Sequence, residues 1–267
     1  MLTRLRSSRL WKTEIICKGY SFKALPVLNI MCCYQHTGGF QSAALFFHVA
    51  MNIKRFILDL IYPTRCPCCH DFIRYNQDFC DKCKSDFTAF RKKIKIENCD
   101  FFYSLYVYDD KIRPAVITLK NGVGGNAPYA FAAGLYELIK SNEISADLIC
   151  PVPMFRNDEN MRGYNQCNLI AKELSAMSKI TWSKNALIKI KNTKPQKELN
   201  AAERAENLKG AFSADSAIIK GKKIILLDDV CTTGSTLKAA SLELKNAGAD
   251  CVCALICCKT DDIPQNL

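Results

Sequence analysis

Residues 224–236, IILLDDVCTTGST, constrain this chain more than any other stretch. Four consecutive apolar residues describe a strand buried on both faces, as in a parallel sheet. The strand runs into two carboxylates, Asp228 and Asp229, then into a turn of small hydroxyl residues, and a helix begins. In open α/β sheets, ligands bind beyond the carboxyl ends of the strands. Thr232, Thr233, Gly234, Ser235 and Thr236 can aim backbone N–H groups and hydroxyls into one concavity. The helix N-terminus adds roughly half a positive charge there. Gly234 lets the backbone approach a phosphate closely. Asp228 and Asp229 repel phosphate but accept hydrogen bonds from sugar hydroxyls, so the pattern reads a sugar and its phosphate together. Two plainer readings compete with this one. A Walker B acid pair would need a G-x-x-x-x-G-K-[ST] partner, which the chain lacks. The other is an ordinary solvated strand end.

The flanking sequence supplies the rest of such a sheet. Residues 101–108 are aromatic and strand-like, and 147–153 form a short buried strand ending in Pro-x-Pro. Residues 186–191 and 251–257 read as further strands. Helical spacing marks 112–120, 129–140, 164–177 and 236–247, and 199–208 is charged and helical. Strands alternating with helices predict a parallel sheet covered by helices. Lys120 precedes a Gly-rich turn at 121–125, which suits either a phosphate contact or a simple loop. The histidines, His36, His48 and His70, all precede this region, which excludes histidine acid–base chemistry from its core.

The 16 cysteines do not read as a disulfide framework. Cys66, Cys69, Cys80 and Cys83 form two C-x-x-C pairs separated by ten residues, the spacing of a four-thiolate Zn²⁺ site. A redox C-x-x-C pair is the rival reading. Cys68 and His70 are spare donors, so a permuted ligand set also fits. Most other cysteines lie in apolar runs, where a free thiol packs as a small hydrophobe and points to a reducing, cytoplasmic compartment. Phe72, Tyr75, Phe79 and Phe87 either form a small core for this module or stack on single-stranded nucleic acid.

The formal charge is +11, and residues 1–50 supply +5 of it. A moderate positive field suits an anionic substrate, a phosphate or a nucleic acid. Residues 1–50 show no sustained period. They read as an over-called extension ahead of a true start at Met51, as an organelle transit peptide, or as a real arm. No apolar run approaches the roughly 18 residues of a membrane span. The expected organisation is an extension at 1–50, a helix and zinc module at 51–95, and the α/β domain at 96–267.

Residues 224–236 resemble the signature that binds phosphoribosyl pyrophosphate (PRPP) in type I phosphoribosyltransferases. Residues 53–260 resemble the ComF/GntX family on several motifs taken together. These are the cysteine pairs, 112–120, Pro151-Val-Pro153, RGYNQ at 162–166, Lys194-Pro-Gln196, Glu203-Arg204 and Gly210-Ala-Phe212. The resemblance implies a type I phosphoribosyltransferase fold behind a four-cysteine zinc module. It makes 154–163 a pyrophosphate loop with Arg156 and Arg162 as cations and the amides of Asn165 and Gln166 near the same anion. Asp158 and Glu159 depart from the more basic run of relatives. It makes 191–207 a flexible lid with Lys194, Gln196 and Arg204, which would exclude water from a reactive sugar cation. Some relatives carry a second cysteine set after the first; only Cys99 stands there in this chain, so one zinc is expected. The implied chemistry is displacement of pyrophosphate from ribose C1 with Mg²⁺, by an enzyme acting on an unknown acceptor. A non-catalytic protein handling single-stranded DNA alongside competence proteins, or a PRPP-sensing regulator, would use the same fold.

Overall fold

Strands Lys223–Cys231 and Cys251–Lys259 lie side by side and are buried along nearly their whole length. Their side chains alternate between two cores. Ile225, Leu227, Leu255 and Cys257 face one; Ile224, Leu226, Val252, Ala254 and Ile256 face the other. Apolar residues at every position are what a sheet covered on both faces demands.

The computed structural model describes residues 16–17, 20–21, 63–122, 126–192 and 207–261. The chain divides into two compact units, Met1–Ile53 and Lys54–Leu267. In the first, Ile16–Cys17 pairs antiparallel with Tyr20–Ser21. All other described residues belong to the second unit. Its elements are α1 (Asp81–Asp86), β1 (Phe101–Val107), α2 (Arg113–Asn121), α3 (Ala127–Ser141), β2 (Leu148–Pro151), α4 (Arg156–Arg162), α5 (Gln166–Ser178), β3 (Thr181–Trp182), β4 (Leu187–Lys189), β5 (Phe212–Ala214), α6 (Ser216–Ile219), β6 (Lys223–Cys231), α7 (Ser235–Asn246) and β7 (Cys251–Lys259). Five strands form one parallel sheet in the order β1-β7-β6-β2-β3. The expected strand at 186–191 is present as β4, but it pairs antiparallel with β5 in a separate two-stranded sheet.

Helices α2, α3 and α5 cover one face through Val116, Leu119, Phe131, Leu135, Ile170 and Leu174. Helix α7 and Ile219 cover the other, with Ile96 and Cys99. Helix α5, which follows β2 and α4, therefore lies on one face and α7, which follows β6, on the other, although β2 and β6 are neighbours. Their carboxyl ends consequently border a crevice, the usual ligand position in such sheets.

The zinc module shares the first core. Phe79 is fully buried, with its ring edge-on to Phe87, Phe131 and Tyr106 at centroid distances of 4.9, 5.9 and 6.5 Å. Thr118 Oγ1 donates to the Pro67 carbonyl at 2.9 Å, and buried Asn126 donates to the carbonyls of Asp78 and Gln77 at 3.1 and 3.4 Å. Of the four aromatics weighed for stacking, Phe79 and Phe87 thus belong to the core. Among the described residues, no helix is long and apolar enough to cross a membrane.

Candidate functional site

Asp228 and Asp229 sit near the carboxyl end of β6, and both are buried, 8% and 6% exposed. That rules out a solvated strand end. Burial and the neighbouring Asp229 carboxylate push the Asp228 carboxyl well above its ordinary range. Its Oδ1 accepts from the Asp229 amide at 2.9 Å and from the Cys167 thiol at 3.6 Å. Asp229 Oδ2 faces the Lys120 ammonium at 3.1 Å and accepts from Gln166 Nε2 at 3.4 Å. Burial works to lower the Lys120 pKa, but the carboxylates of Asp229 and Asp228 outweigh it and hold the ammonium above its ordinary value.

The RGYNQ segment closes the crevice. Arg162 donates to Gln166 Oε1 at 3.1 Å, so Arg162, Gln166, Asp229 and Lys120 form one continuous polar chain. The Tyr164 hydroxyl donates to the Lys120 carbonyl at 2.6 Å and pins the end of α2. Gly122 there adopts φ 67°, and a Cβ at that position would sit 3.0 Å from the Tyr164 ring, so only glycine fits the turn. A cleft of about 650 Å³ opens beside these groups, lined by Lys120, Asn121, Met154, Asp158, Met161, Arg162 and Tyr164.

Beyond the acid pair, residues 232–234 turn into α7, whose N-cap is Gly234 at φ 79° with no side-chain cap. Thr233 Oγ1 lies 2.9 Å from Ser235 Oγ. Thr232 is exposed, while Thr233, Ser235 and Thr236 are half-buried. Hydroxyls, helix N-terminus and carboxylates therefore adjoin one another, as the sugar-phosphate reading requires.

Other expected site residues are placed differently. Asn165 is buried and points both ends of its amide at backbone: Nδ2 donates to Val152 O at 3.0 Å, and Oδ1 accepts from Cys167 N at 2.8 Å. It caps α5, so it serves the helix rather than an anion. The expected loop at 154–163 contains a helix, α4, which ends at Gly163 in the left-handed region. Arg156 is exposed on that helix and is not among the cleft-lining residues. Lys194, Gln196 and Arg204 lie outside the described residues, as do residues 123–125 and the proposed start at Met51.

The sulfur atoms of Cys66, Cys69, Cys80 and Cys83 all lie within 4.8 Å of one another. Burial raises the Cys66 thiol, yet the backbone amides of Cys80, Cys69 and Cys68 outweigh it and hold it below the ordinary value. Burial and neighbouring sulfur push Cys69 up to about 11. Four thiolates at this spacing need a divalent cation, and the donor set fits Zn²⁺. Cys68 turns away, 3.7 Å from the Lys111 carbonyl, and neither it nor His70 belongs to the cluster of the four paired cysteines. Cys99 is buried beside Ser241 Oγ at 2.9 Å, and no second four-cysteine cluster exists among the described residues.

Comparison with known proteins agrees with this geometry. A phosphoribosyl transferase domain family matches residues 167–262, and a double zinc ribbon domain family matches residues 57–95. Competence protein F of Haemophilus influenzae is 38% identical over 108 residues, 39% of this chain and 46% of that protein. Competence protein ComFC of Bacillus subtilis is 27% identical over 150 residues, 54% of this chain and 58% of that one. These matches support a ComF-like, phosphoribosyltransferase-type family. The chain spans about half the length of the curated relatives it matches. Among solved structures, glutamine PRPP amidotransferase of B. subtilis resembles it with a TM-score of 0.35 and 21% identity, over 49% of this chain and 26% of that one.

Asp158 and Glu159 have different surroundings. Glu159 accepts from Asn168 Nδ2 at 3.3 Å, toward α5, whereas Asp158 lines the cleft. The contact that sequence reasoning missed is Lys120 with Asp229. Its only advance signal was a lysine ahead of a glycine-rich turn.

Proposed function

We propose that this ComF-like chain binds PRPP with Mg²⁺ in the crevice between β2 and β6 and transfers phosphoribose as part of DNA uptake. One observation carries the reading. The buried acid pair leads directly into an uncapped helix N-terminus, and the Arg162–Gln166–Asp229–Lys120 chain borders the same crevice. Asp228 and Asp229 would accept the ribose hydroxyls. Residues 232–236 would hold the 5′-phosphate through hydroxyls and backbone amides. Arg162 and Lys120 would face the pyrophosphate. Mg²⁺, when bound, supplies charge neutralisation on the leaving group. As pyrophosphate leaves C1 with the bonding electron pair, positive charge would grow on the ring, and a nearby carboxylate would favour it. The link to DNA uptake is supported by the names of the relatives, competence proteins and a DNA utilization protein.

Calorimetry with PRPP and Mg²⁺, followed by a pyrophosphate-release assay with and without single-stranded DNA, tests the reading. The double variant Asp228→Asn, Asp229→Asn is expected to stay folded and lose PRPP binding. Unchanged affinity in that variant would sink it.

A second reading has its own observation. Phe72 is 64% exposed, and the Arg65 guanidinium sits 4.1 Å from its ring centroid. With exposed Arg91, Lys92, Lys93 and Lys95, this suits a stacking platform for single-stranded DNA. Binding of a single-stranded oligonucleotide without PRPP, falling steeply with salt, would favour an accessory role.

A further inference from the structure

We infer that Lys120 is an exchangeable partner of the acid pair: it gives up Asp229 to the ribose hydroxyls and takes the pyrophosphate group instead. The inference rests on the phosphoribosyl reading above and gives Lys120 a discriminating role within it. Asp229 Oδ2 already accepts from two donors, Lys120 and Gln166, and Asp228 Oδ1 from two more. A carboxylate oxygen offers about two lone pairs. A sugar hydroxyl that binds Asp229 there must displace one of these donors. Gln166 is buried and tied at its other end to Arg162. Lys120 is the donor free to leave: its side chain is 39% exposed and lines the open cleft.

The charges favour the exchange. Burial and the neighbouring Asp229 carboxylate push the Asp228 carboxyl above its ordinary range, and the Lys120 ammonium is the cation that faces Asp229. Ribose hydroxyls are neutral, whereas pyrophosphate brings several negative charges into the cleft beside Arg162. Moving the ammonium from Asp229 to the pyrophosphate gains a charge-assisted contact there. It also uncovers the Asp229 carboxylate when positive charge develops on the ring. While Lys120 sits on Asp229, its field cancels most of that carboxylate's. The backbone of Lys120 need not move: Tyr164 holds its carbonyl, and the four methylenes of the side chain make the swing.

The exchange predicts discrimination between two ligands. Wild type, Lys120→Met and Lys120→Arg would be titrated by calorimetry with PRPP plus Mg²⁺ and with ribose 5-phosphate, which lacks pyrophosphate. Lys120→Met is expected to lose at least about 10-fold in PRPP affinity. Its ribose 5-phosphate affinity is expected to hold or rise, because Asp229 no longer has to be vacated. Lys120→Arg restores PRPP binding. Equal losses for both ligands would overturn the exchange and leave Lys120 a structural counter-ion; unchanged PRPP affinity would overturn it too. If Lys120→Met fails to fold, Lys120→Gln takes its place in the same comparison. Wild type that binds neither ligand would bring down the phosphoribosyl reading itself, an outcome separate from a wild type that binds PRPP and a variant that matches it.

Discussion

Replacing Phe79 by alanine removes a ring that is fully buried and touches aromatics from three places in the fold: Phe87 beside the zinc module, Tyr106 on β1 and Phe131 on α3. Truncating a core phenylalanine costs about 3–5 kcal/mol through lost burial and the remaining cavity. Three edge-to-face partners, each contributing roughly 0.5–1.5 kcal/mol beyond burial, place this site toward the upper end. In a folding unit of this size each kcal/mol lowers the melting temperature by about 2–4 °C. Phe79→Ala is therefore expected to melt roughly 6–20 °C lower. Differential scanning calorimetry, with zinc release followed by a chelating dye, is the assay. A single transition should shift as a whole, because the ring belongs to the zinc module and the sheet at once. A shift under about 2 °C, or zinc release well below an unchanged main transition, would refute the shared core.

Elemental analysis should find one zinc per chain; Cys69→Ser should lower zinc content, and chelation should lower the melting temperature of the same transition. Gly234→Ala forces an L residue into the left-handed region at φ 79°, costing roughly 1–2 kcal/mol in urea denaturation. The new Cβ would also lie 2.7 Å from Ile96 Cδ1, so adding Ile96→Ala should relieve the contact but not the backbone cost. Burial works to raise the Asp100 pKa, but the Lys245 ammonium at 2.6 Å and the Val252 amide at 2.7 Å outweigh it and hold the carboxyl below its ordinary value. A depressed carboxyl stabilises above its unfolded pKa and loses that contribution as pH falls through the folded one. Asp100→Asn should accordingly melt below wild type at neutral pH, with the gap closing as pH falls below the ordinary carboxylate range.

Much of the sheet was legible because its strands are buried on both faces. An unbroken apolar run such as 224–227 has few alternatives once it meets two acids and a hydroxyl turn. Helices α2, α3, α5 and α7 were legible because each buries one stripe and leaves the other wet. Helix α4 was not: RNDENMR buries no residue, so it carries no period to detect. It is held by its ends, where Glu159 N donates to the Phe155 carbonyl and Gly163 N to the Glu159 carbonyl. Strand β3 is only two residues long, too short for any alternation to show. The acid pair and the hydroxyl turn were visible as a local string. The Lys120–Asp229 contact was not, since it joins segments brought together only when α2 packs on the sheet. Asn165 shows the opposite failure: an amide beside an arginine suggests a ligand, and only the fold reveals that both its ends are committed to backbone.

The bonds from Thr118 to Pro67 and from Asn126 to Gln77 and Asp78 bear on how such a chain can be inherited. Two separately recognised families meet in it, yet their boundary is not a seam in the physical object. Recombination that brought in a foreign ribbon would have to bring a matching α2 and α3, because Phe79 and Phe131 fill one space and each must suit the other. The ribbon cannot be exchanged as a cassette, and lineages that remodel it should show compensating changes at residues 118, 126 and 131.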